Sequence, residues 1–234
     1  MSGHSKWATT KRRKAVVDAK RSSLFTKLAN AISVAARAGN DTDSNFKLRM
    51  AIDKAKSFSL PKDNIEKAVK RGADKLDGSQ LEELIYEGYG PEKIALIMEV
   101  VTDNKNRTSQ EIKHLLTKYG GTLAGPGSVK WQFEYQGVIT LDKQSLTDEE
   151  ELAIIDAGAE DIKNKDGITI YTKVERLEEV KKKIEKLNLP ILDAGLEYIA
   201  KNLVKPKNEN SLLKLFEALD KVDDISNFYS NADI

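Results

Sequence analysis

The spacing of apolar residues changes near position 80, and that change constrains the fold of this chain more than any other feature. Before it, apolar side chains recur every three or four residues: Leu24, Leu28, Ala31, Ile32 and Ala35, then Leu48, Ala51, Ile52 and Ala55. That spacing lines one face of an α-helix. After it come short apolar or alternating runs bounded by turn residues: "IALIMEVVT" (94–102), "GSVKWQFEY" (127–135), "GVITLD", "GITIYTK" and "AGLEYIAKNLV". These read as strands, with helical segments between them. A chain that opens with helices and then alternates strands with helices belongs to the α+β class.

The front part reads as a small bundle with a thin, alanine-rich core. Residues 9–20 form a short basic helix. Ser23 is placed to cap a second, ended by Gly39, and Asp43 or Ser44 to cap a third. Pro61 opens a fourth, with Asp63 and Glu66 near its N-terminus and Gly72 after its end. "KLDGSQLEEL" marks a boundary. Beyond it, "NRTSQEIKHLLTKYGG" (106–121) is a helix with a capping box of Thr108 and Glu111. The run of strands, with "TDEEELAIIDAGAEDI" and "RLEEVKKKIEKLNL" as helices, suggests a ferredoxin-like α+β sandwich. The tail supplies a last helix and a closing strand. The expected division is a helical domain over 1–79, an α/β domain over 80–132 plus 205–234, and a ferredoxin-like domain over 133–204 inserted into it.

Charge is segregated along the same division. Residues 1–75 carry 18 Lys/Arg and 7 Asp/Glu, net +11, and residues 76–234 carry 20 and 30, net −10, which leaves +1 for the whole chain. Such asymmetry points to a basic part that meets a polyanion, joined to an acidic body. There is no cysteine, which excludes disulfides, zinc–thiolate sites and cysteine nucleophiles. No apolar run approaches the roughly 18 residues that a membrane span requires. No apolar segment of a secretory signal follows the basic start, so the N-terminus reads as part of a mature, cytoplasmic protein with no membrane partner.

Three groups of residues are candidates for binding a polyanion. The first is the arm and first helix: Lys6, Trp7, Lys11, Arg12, Arg13, Lys14, Lys20, Arg21 and Lys27. Four successive cations point to all sides of a helix, gain little from packing, and match a phosphate backbone. Trp7 either stacks on a base or pins the arm to the bundle. The second is Lys54, Lys62, Lys70 and Arg71, with Lys56 and Lys67, on the last two helices; a lysine-rich face is also an ordinary solvated surface. The third is "TDNKNRT" (102–108), which brings backbone N–H groups, Asn104, Asn106 and Arg107 to a helix N-terminus, where an anion is favoured. Asp103 and Asn104 are also common turn residues. "GPGS" (125–128) lacks the following Gly-Lys-Ser/Thr of a nucleotide loop and reads as a turn. His4 and His114 have no metal-ligand spacing, and no catalytic constellation stands out. The expectation is no enzyme, no cofactor and no metal.

Several of these stretches carry a family resemblance. "GHSKW", "DAKR", "FTKL", "AAR", "LRMAIDKAK", "LPKDNIEKAVKRG", "YEGYGP", "TDNKNRT" and "GGTLAGPGSV" resemble, in order, the YebC/PmpR family. The resemblance implies a helical N-terminal domain and two α/β domains, the third inserted in the second. It implies a DNA-binding transcriptional regulator; another branch of the family, the mitochondrial translational activators and their bacterial relatives, acts on the ribosome. Thr9–Thr10 depart from the family's Asn and aliphatic residue, and Pro91-Glu92-Lys93 stands where Pro-Gly-Gly is usual. The function expected is therefore a nucleic-acid-binding regulator of gene expression. The alternatives are a ribosome-associated translation factor binding ribosomal RNA, a protein adaptor docking through its acidic domains, and, least favoured, a Mg²⁺-dependent nuclease.

Overall fold

A computed structural model describes residues 18–74, 81–164 and 167–234. They form an α+β structure: a helical N-terminal bundle, then two α/β domains built on antiparallel sheets, the third, ferredoxin-like, inserted in the second. The expected fold class is the one observed.

Helices α1 (Asp18–Ala36), α2 (Phe46–Ser57) and α3 (Lys62–Ala73) surround a core of Leu28, Ile32, Leu48, Ile52, Ala55, Leu60 and Ile65. Three details differ from the sequence reading. Nothing breaks the helix between Lys20 and Leu24, so Ser23 lies inside α1; its hydroxyl donates to Asp223 instead of capping. The cap of α2 is Asn45, whose Oδ1 accepts from Leu48 N–H at 3.0 Å while its Nδ2 donates to the carbonyls of Ala35 and Gly39. One amide thus starts α2 and binds the end of α1. Gly72 sits within α3, not past its end, and is buried: a Cβ there would lie 2.0 Å from the Ser33 carbonyl oxygen. Glycine at this point lets α3 approach the α1 backbone.

The first sheet has strand order β3-β1-β2-β8, from β1 (Glu82–Tyr89), β2 (Ala95–Thr102), β3 (Thr122–Ala124) and β8 (Ile225–Ser230). The first three residues of β1 fall in the stretch 75–84 that the sequence marks as a boundary; Glu82 and Glu83 there hide the alternation that Leu84, Tyr86 and Gly88 continue. Helices α4 (Lys105–Lys118) and α7 (Glu209–Asp220) cover one face, burying Leu96, Met98, Val100, Ile112, Leu116, Leu212, Phe216 and Phe228. Residues of opposite parity, Ile97, Glu99 and Val101, point the other way, and α1 packs against β2 and β8. At the hairpin turn, Glu92 and Lys93 hold positive φ angles of 57° and 62°, the conformation that glycine adopts freely. The strain at Glu92 is offset by its carboxylate, which accepts from the N–H groups of Lys207 and Asn208 at the start of α7.

The second sheet has order β5-β6-β4-β7, from β4 (Phe133–Leu141), β5 (Ala159–Asn164), β6 (Ile168–Thr172) and β7 (Ile191–Ala200). Helices α5 (Asp148–Asp156) and α6 (Leu177–Lys186) complete a β-α-β-β-α-β topology with Ile139, Leu141, Ile154, Ile170, Val180 and Ile184 buried. The helix expected to run to residue 162 stops at Asp156. Gly158, at φ 109°, turns the chain, and β5 follows. The strand expected over 127–135 begins only at Phe133, after a 3₁₀ turn over Lys130–Gln132. The described residues form two compact units, one running to Glu134 and resuming at Ile199–Ile234, the other Tyr135–Tyr198.

Candidate nucleic-acid interface

Lys6, Trp7, Lys11, Arg12, Arg13 and Lys14 lie outside the described residues. Lys20 and Arg21 fall in the first turns of α1, but their side chains are also outside the description. Lys27, counted with this group in the sequence, is turned inward. It is buried, and its ammonium donates to the Asp220 carbonyl at 2.6 Å, at the C-terminal end of α7. A cation there meets the negative end of a helix, so Lys27 ties the bundle to the second domain and is not exposed to a polymer.

The second group divides in two. Lys62 is 87% exposed, with its ammonium 3.6 Å from Glu66. Lys56, Lys67 and Lys70 are also exposed. Arg71 instead reaches back to α1: its Nε donates to Ser33 Oγ at 2.9 Å and its Nη2 to Asn30 Oδ1 at 2.8 Å. Ser33 Oγ in turn donates to the Ala68 carbonyl. The guanidinium therefore fastens α3 to α1 at the point where Gly72 lets them approach. Lys54 is half-buried and acts electrostatically on Glu99 of β2. Arg71 is exposed but engaged by α1; the other exposed cations of α2 and α3 are lysines.

In the third group the protein supplies its own anion. Asn104 caps α4 by accepting from Arg107 N–H at 3.0 Å, which replaces the expected capping box of Thr108 and Glu111. The Arg107 Nη2 donates to Asp103 Oδ1 at 2.9 Å and to Asp224 Oδ2 at 2.8 Å. Thr102 Oγ1, at 3.1 Å, and Thr108 Oγ1 donate to the same Asp224 oxygen. Burial alone would push the Asp224 carboxyl up. The hydrogen bonds from Arg107, Thr108 and Thr102 outweigh it and hold the group below the ordinary carboxylate value. The hydrogen bond and charge of Asp224, and after them those of Asp103, push Arg107 above its ordinary value. Asn106 is exposed in the first turn of α4.

One arrangement had no signal in the sequence. The buried carboxylate of Glu87 accepts from the N–H groups of Gly127 (2.7 Å), Val129 (2.8 Å) and Lys130 (2.9 Å). Burial would raise its pKa, but the three amides bring it below the ordinary value. This fixes the turn that carries Trp131, which is 69% exposed with its indole N–H donating to the Ser128 carbonyl at 3.1 Å. Nothing in the sequence links residue 87 to 127–130. The lysine–tryptophan pair following "GPGS" was legible and was read only as strand.

The fold defines a class: an α+β protein with a basic helical end and an inserted ferredoxin-like domain. Among its described residues no group of three or more His, Asp or Glu side chains is placed to hold a metal, and no helix is long and apolar enough to cross a membrane. The chain belongs to the TACO1/YebC family. Residues 5–75 match the family model described as the TACO1/YebC protein N-terminal domain, and residues 81–232 match the model for the TACO1/YebC second and third domain. The chain is 48% identical over 237 residues to a probable transcriptional regulatory protein of Thermotoga maritima, covering 99% of this chain and 93% of that protein. A protein of the same description from Chlorobaculum tepidum is 45% identical over 240 residues, covering 100% and 96%. The crystal structure of a conserved hypothetical protein from Aquifex aeolicus matches with a TM-score of 0.85 at 40% identity, covering 93% of this chain and 92% of that one.

Proposed function

We propose that this protein is a cytoplasmic, non-enzymatic regulator of gene expression that binds nucleic acid through its basic N-terminal residues. The observation that carries the proposal is the charge division, +11 over residues 1–75 against −10 over 76–234. The outward Lys56, Lys62, Lys67 and Lys70 extend the basic surface into the folded bundle. The descriptions of the relatives support a regulatory role. We assign the main binding surface to 1–79, and to the acidic faces of the remaining two domains (80–132 with 205–234, and the inserted 133–204) contact with protein partners or repulsion from the polymer.

A second reading, a factor that binds ribosomal RNA, is favoured by the chemistry of the exposed cations. Lysine is a compact point charge suited to phosphates, whereas arginine provides the bidentate fork that reads guanine. Backbone contacts position a protein without specifying sequence, so structured RNA is as suitable a ligand as duplex DNA.

The test is the full chain with Lys11, Arg12 and Lys14 reversed to Glu, titrated with duplex DNA and structured RNA over a range of salt. If roughly six phosphates are neutralised, the wild-type log–log salt slope for duplex DNA is near −5, and losing three contacts flattens it by about 2.7. Wild-type binding by the variant, or a flat salt response, overturns the proposal. Crosslinking and sequencing of the bound polymer in cells then distinguishes promoter DNA from ribosomal RNA.

A further inference from the structure

We propose a second nucleic-acid site, on the body of the protein, where the Trp131 turn and the segment 201–207 together bind an unpaired nucleobase and its flanking phosphates. It rests on the nucleic-acid reading above and lies outside the basic N-terminal residues.

The aromatic half is preorganised. Trp131 is an exposed indole on a turn clamped by three backbone bonds to Glu87, and Val129 beside it is fully buried. Its N–H is already taken by the Ser128 carbonyl, so it presents ring surface to solvent. A ring held in place loses little conformational freedom when a ligand arrives.

The cationic half lies next to it. "KNLVKPK" (201–207) carries three lysines and no acid, in a part of the chain that is otherwise acidic. Lys201 N–H donates to the Gln132 carbonyl at 2.9 Å, which places this segment against the residue after Trp131. Val204 N–H donates to the Asn231 carbonyl at 2.8 Å, and the Asn231 side chain bonds that of Gln132 at 3.2 Å. At its far end, the N–H groups of Lys207 and Asn208 are held by Glu92. Lys201, Lys205 and Lys207 are exposed on this pinned segment, and Lys130 precedes the tryptophan. The exposed acids around it are Glu134, three residues after Trp131, Asp233, whose N–H donates to the Val204 carbonyl, Glu209, two residues beyond Lys207, and Glu92, already held by the N–H groups of Lys207 and Asn208.

An aromatic platform bordered by lysines is the arrangement that binds single strands, with bases stacking and cations following the backbone. The exposed apolar surface, Trp131 and Val204, is small beside the area a stable protein interface buries. A duplex keeps its bases stacked on one another, so the site selects unpaired bases.

The chain has two tryptophans. Trp7→Phe therefore leaves Trp131 as the sole indole reporter. This full-length variant is titrated with a ten-nucleotide oligoadenylate as RNA, the same sequence as DNA, and a blunt duplex. The expected result is saturable quenching by the single strands and little by the duplex; tighter RNA or tighter DNA binding identifies the source of the base. Trp131→Ala weakens single-strand affinity about tenfold or more with an unchanged salt slope, and Trp131→Phe restores part of it. Replacing Lys201, Lys205 and Lys207 with Gln flattens the single-strand slope by about 2. Thermal melting of Trp131→Ala stays at the wild-type temperature, because the side chain is exposed. If single strands bind without quenching Trp131, or bind Trp131→Ala as tightly as wild type, the second site is wrong while the N-terminal reading stands. If no nucleic acid binds the wild-type chain, the underlying reading fails.

Discussion

Three side chains converge on one oxygen of Asp224: the guanidinium of Arg107 and the hydroxyls of Thr102 and Thr108. The two threonines are almost fully buried, whereas the Arg107 side chain is 52% exposed. Removing the shared acceptor takes from the buried Thr102 hydroxyl the group it donates to, while Thr108 keeps the Asn104 carbonyl, a loss of about 1–3 kcal/mol. Removing a half-exposed cation costs about 1 kcal/mol or less. Asp224→Ala should therefore lower stability in chemical denaturation by more than Arg107→Ala; the reverse order would show that the ion pair, and not the buried hydroxyls, holds the loop. Because the folded pKa of Asp224 is depressed, its contribution is present above the ordinary carboxylate range and lost as pH falls through the folded value. Asp103, Asn104 and Arg107 were visible in the sequence as a cationic helix start. The acid that completes the group is 117 positions beyond Arg107, and no local pattern connects them.

At the scale of elements, α1 and α3 are held by a close approach at Gly72 and by the bonds of Arg71. A methyl group at position 72 meets the Ser33 carbonyl, which is backbone and cannot rotate away. Gly72→Ala should cost about 1–3 kcal/mol, read by thermal or chemical unfolding, although alanine has the better helix propensity. An unchanged or raised melting temperature would mean that the helices separate without penalty. The same position shows where sequence reading succeeds and fails. Helical spacing located α2, α3, α4, α6 and α7, because each buries a periodic apolar stripe. It misplaced Gly72 as a terminator, since a glycine required by a neighbouring helix looks like one required by a turn. It ran α5 through to residue 162, since "AIIDAGAEDI" keeps apolar residues at helical intervals and only the backbone turn at Gly158 separates helix from strand. The candidate site was legible in its charge, which is a matter of composition. It was not legible in which cations are engaged within the protein: Lys27 and Arg71 are occupied by partners that only the fold brings near.

For the molecule as a whole, the first sheet carries a partly buried acid that feels Lys54 of the bundle. Glu99 lies on the strand face opposite the core and accepts from Asn227 Nδ2 at 3.0 Å and Tyr229 OH at 3.1 Å. Burial raises its pKa; the two hydrogen bonds and Lys54 counter this in part, and Glu83 adds to it. A carboxyl whose folded pKa is raised favours folding below its unfolded value, and that advantage is lost as pH rises through the folded one. Glu99→Gln should therefore raise the melting temperature relative to wild type more at pH 8 than at pH 4. An equal difference at both pH values would show that Glu99 is not ionised at a cost in the native protein.

The order of the strands has a consequence for how the chain reaches its native state during synthesis. The interior strand β2 (Ala95–Thr102) pairs on one side with β8 (Ile225–Ser230), which leaves a ribosome long after β2 does. Until then the first sheet lacks an edge, and the apolar residues of β8 and α7 are missing from its core. The inserted unit meets no such delay, since β4 to β7 are contiguous in the chain. β4 and β7 are neighbours, joined at one end by Lys201 N–H to the Gln132 carbonyl and at the other by Asp142 N–H to the Pro190 carbonyl. Once folded, this unit turns a connection of more than sixty residues into two adjacent chain ends. The long loop that would have to close between β2 and β8 is shortened accordingly, and with it the entropy lost on closure. The insertion thus acts as an early-forming clasp for the domain whose chain it interrupts.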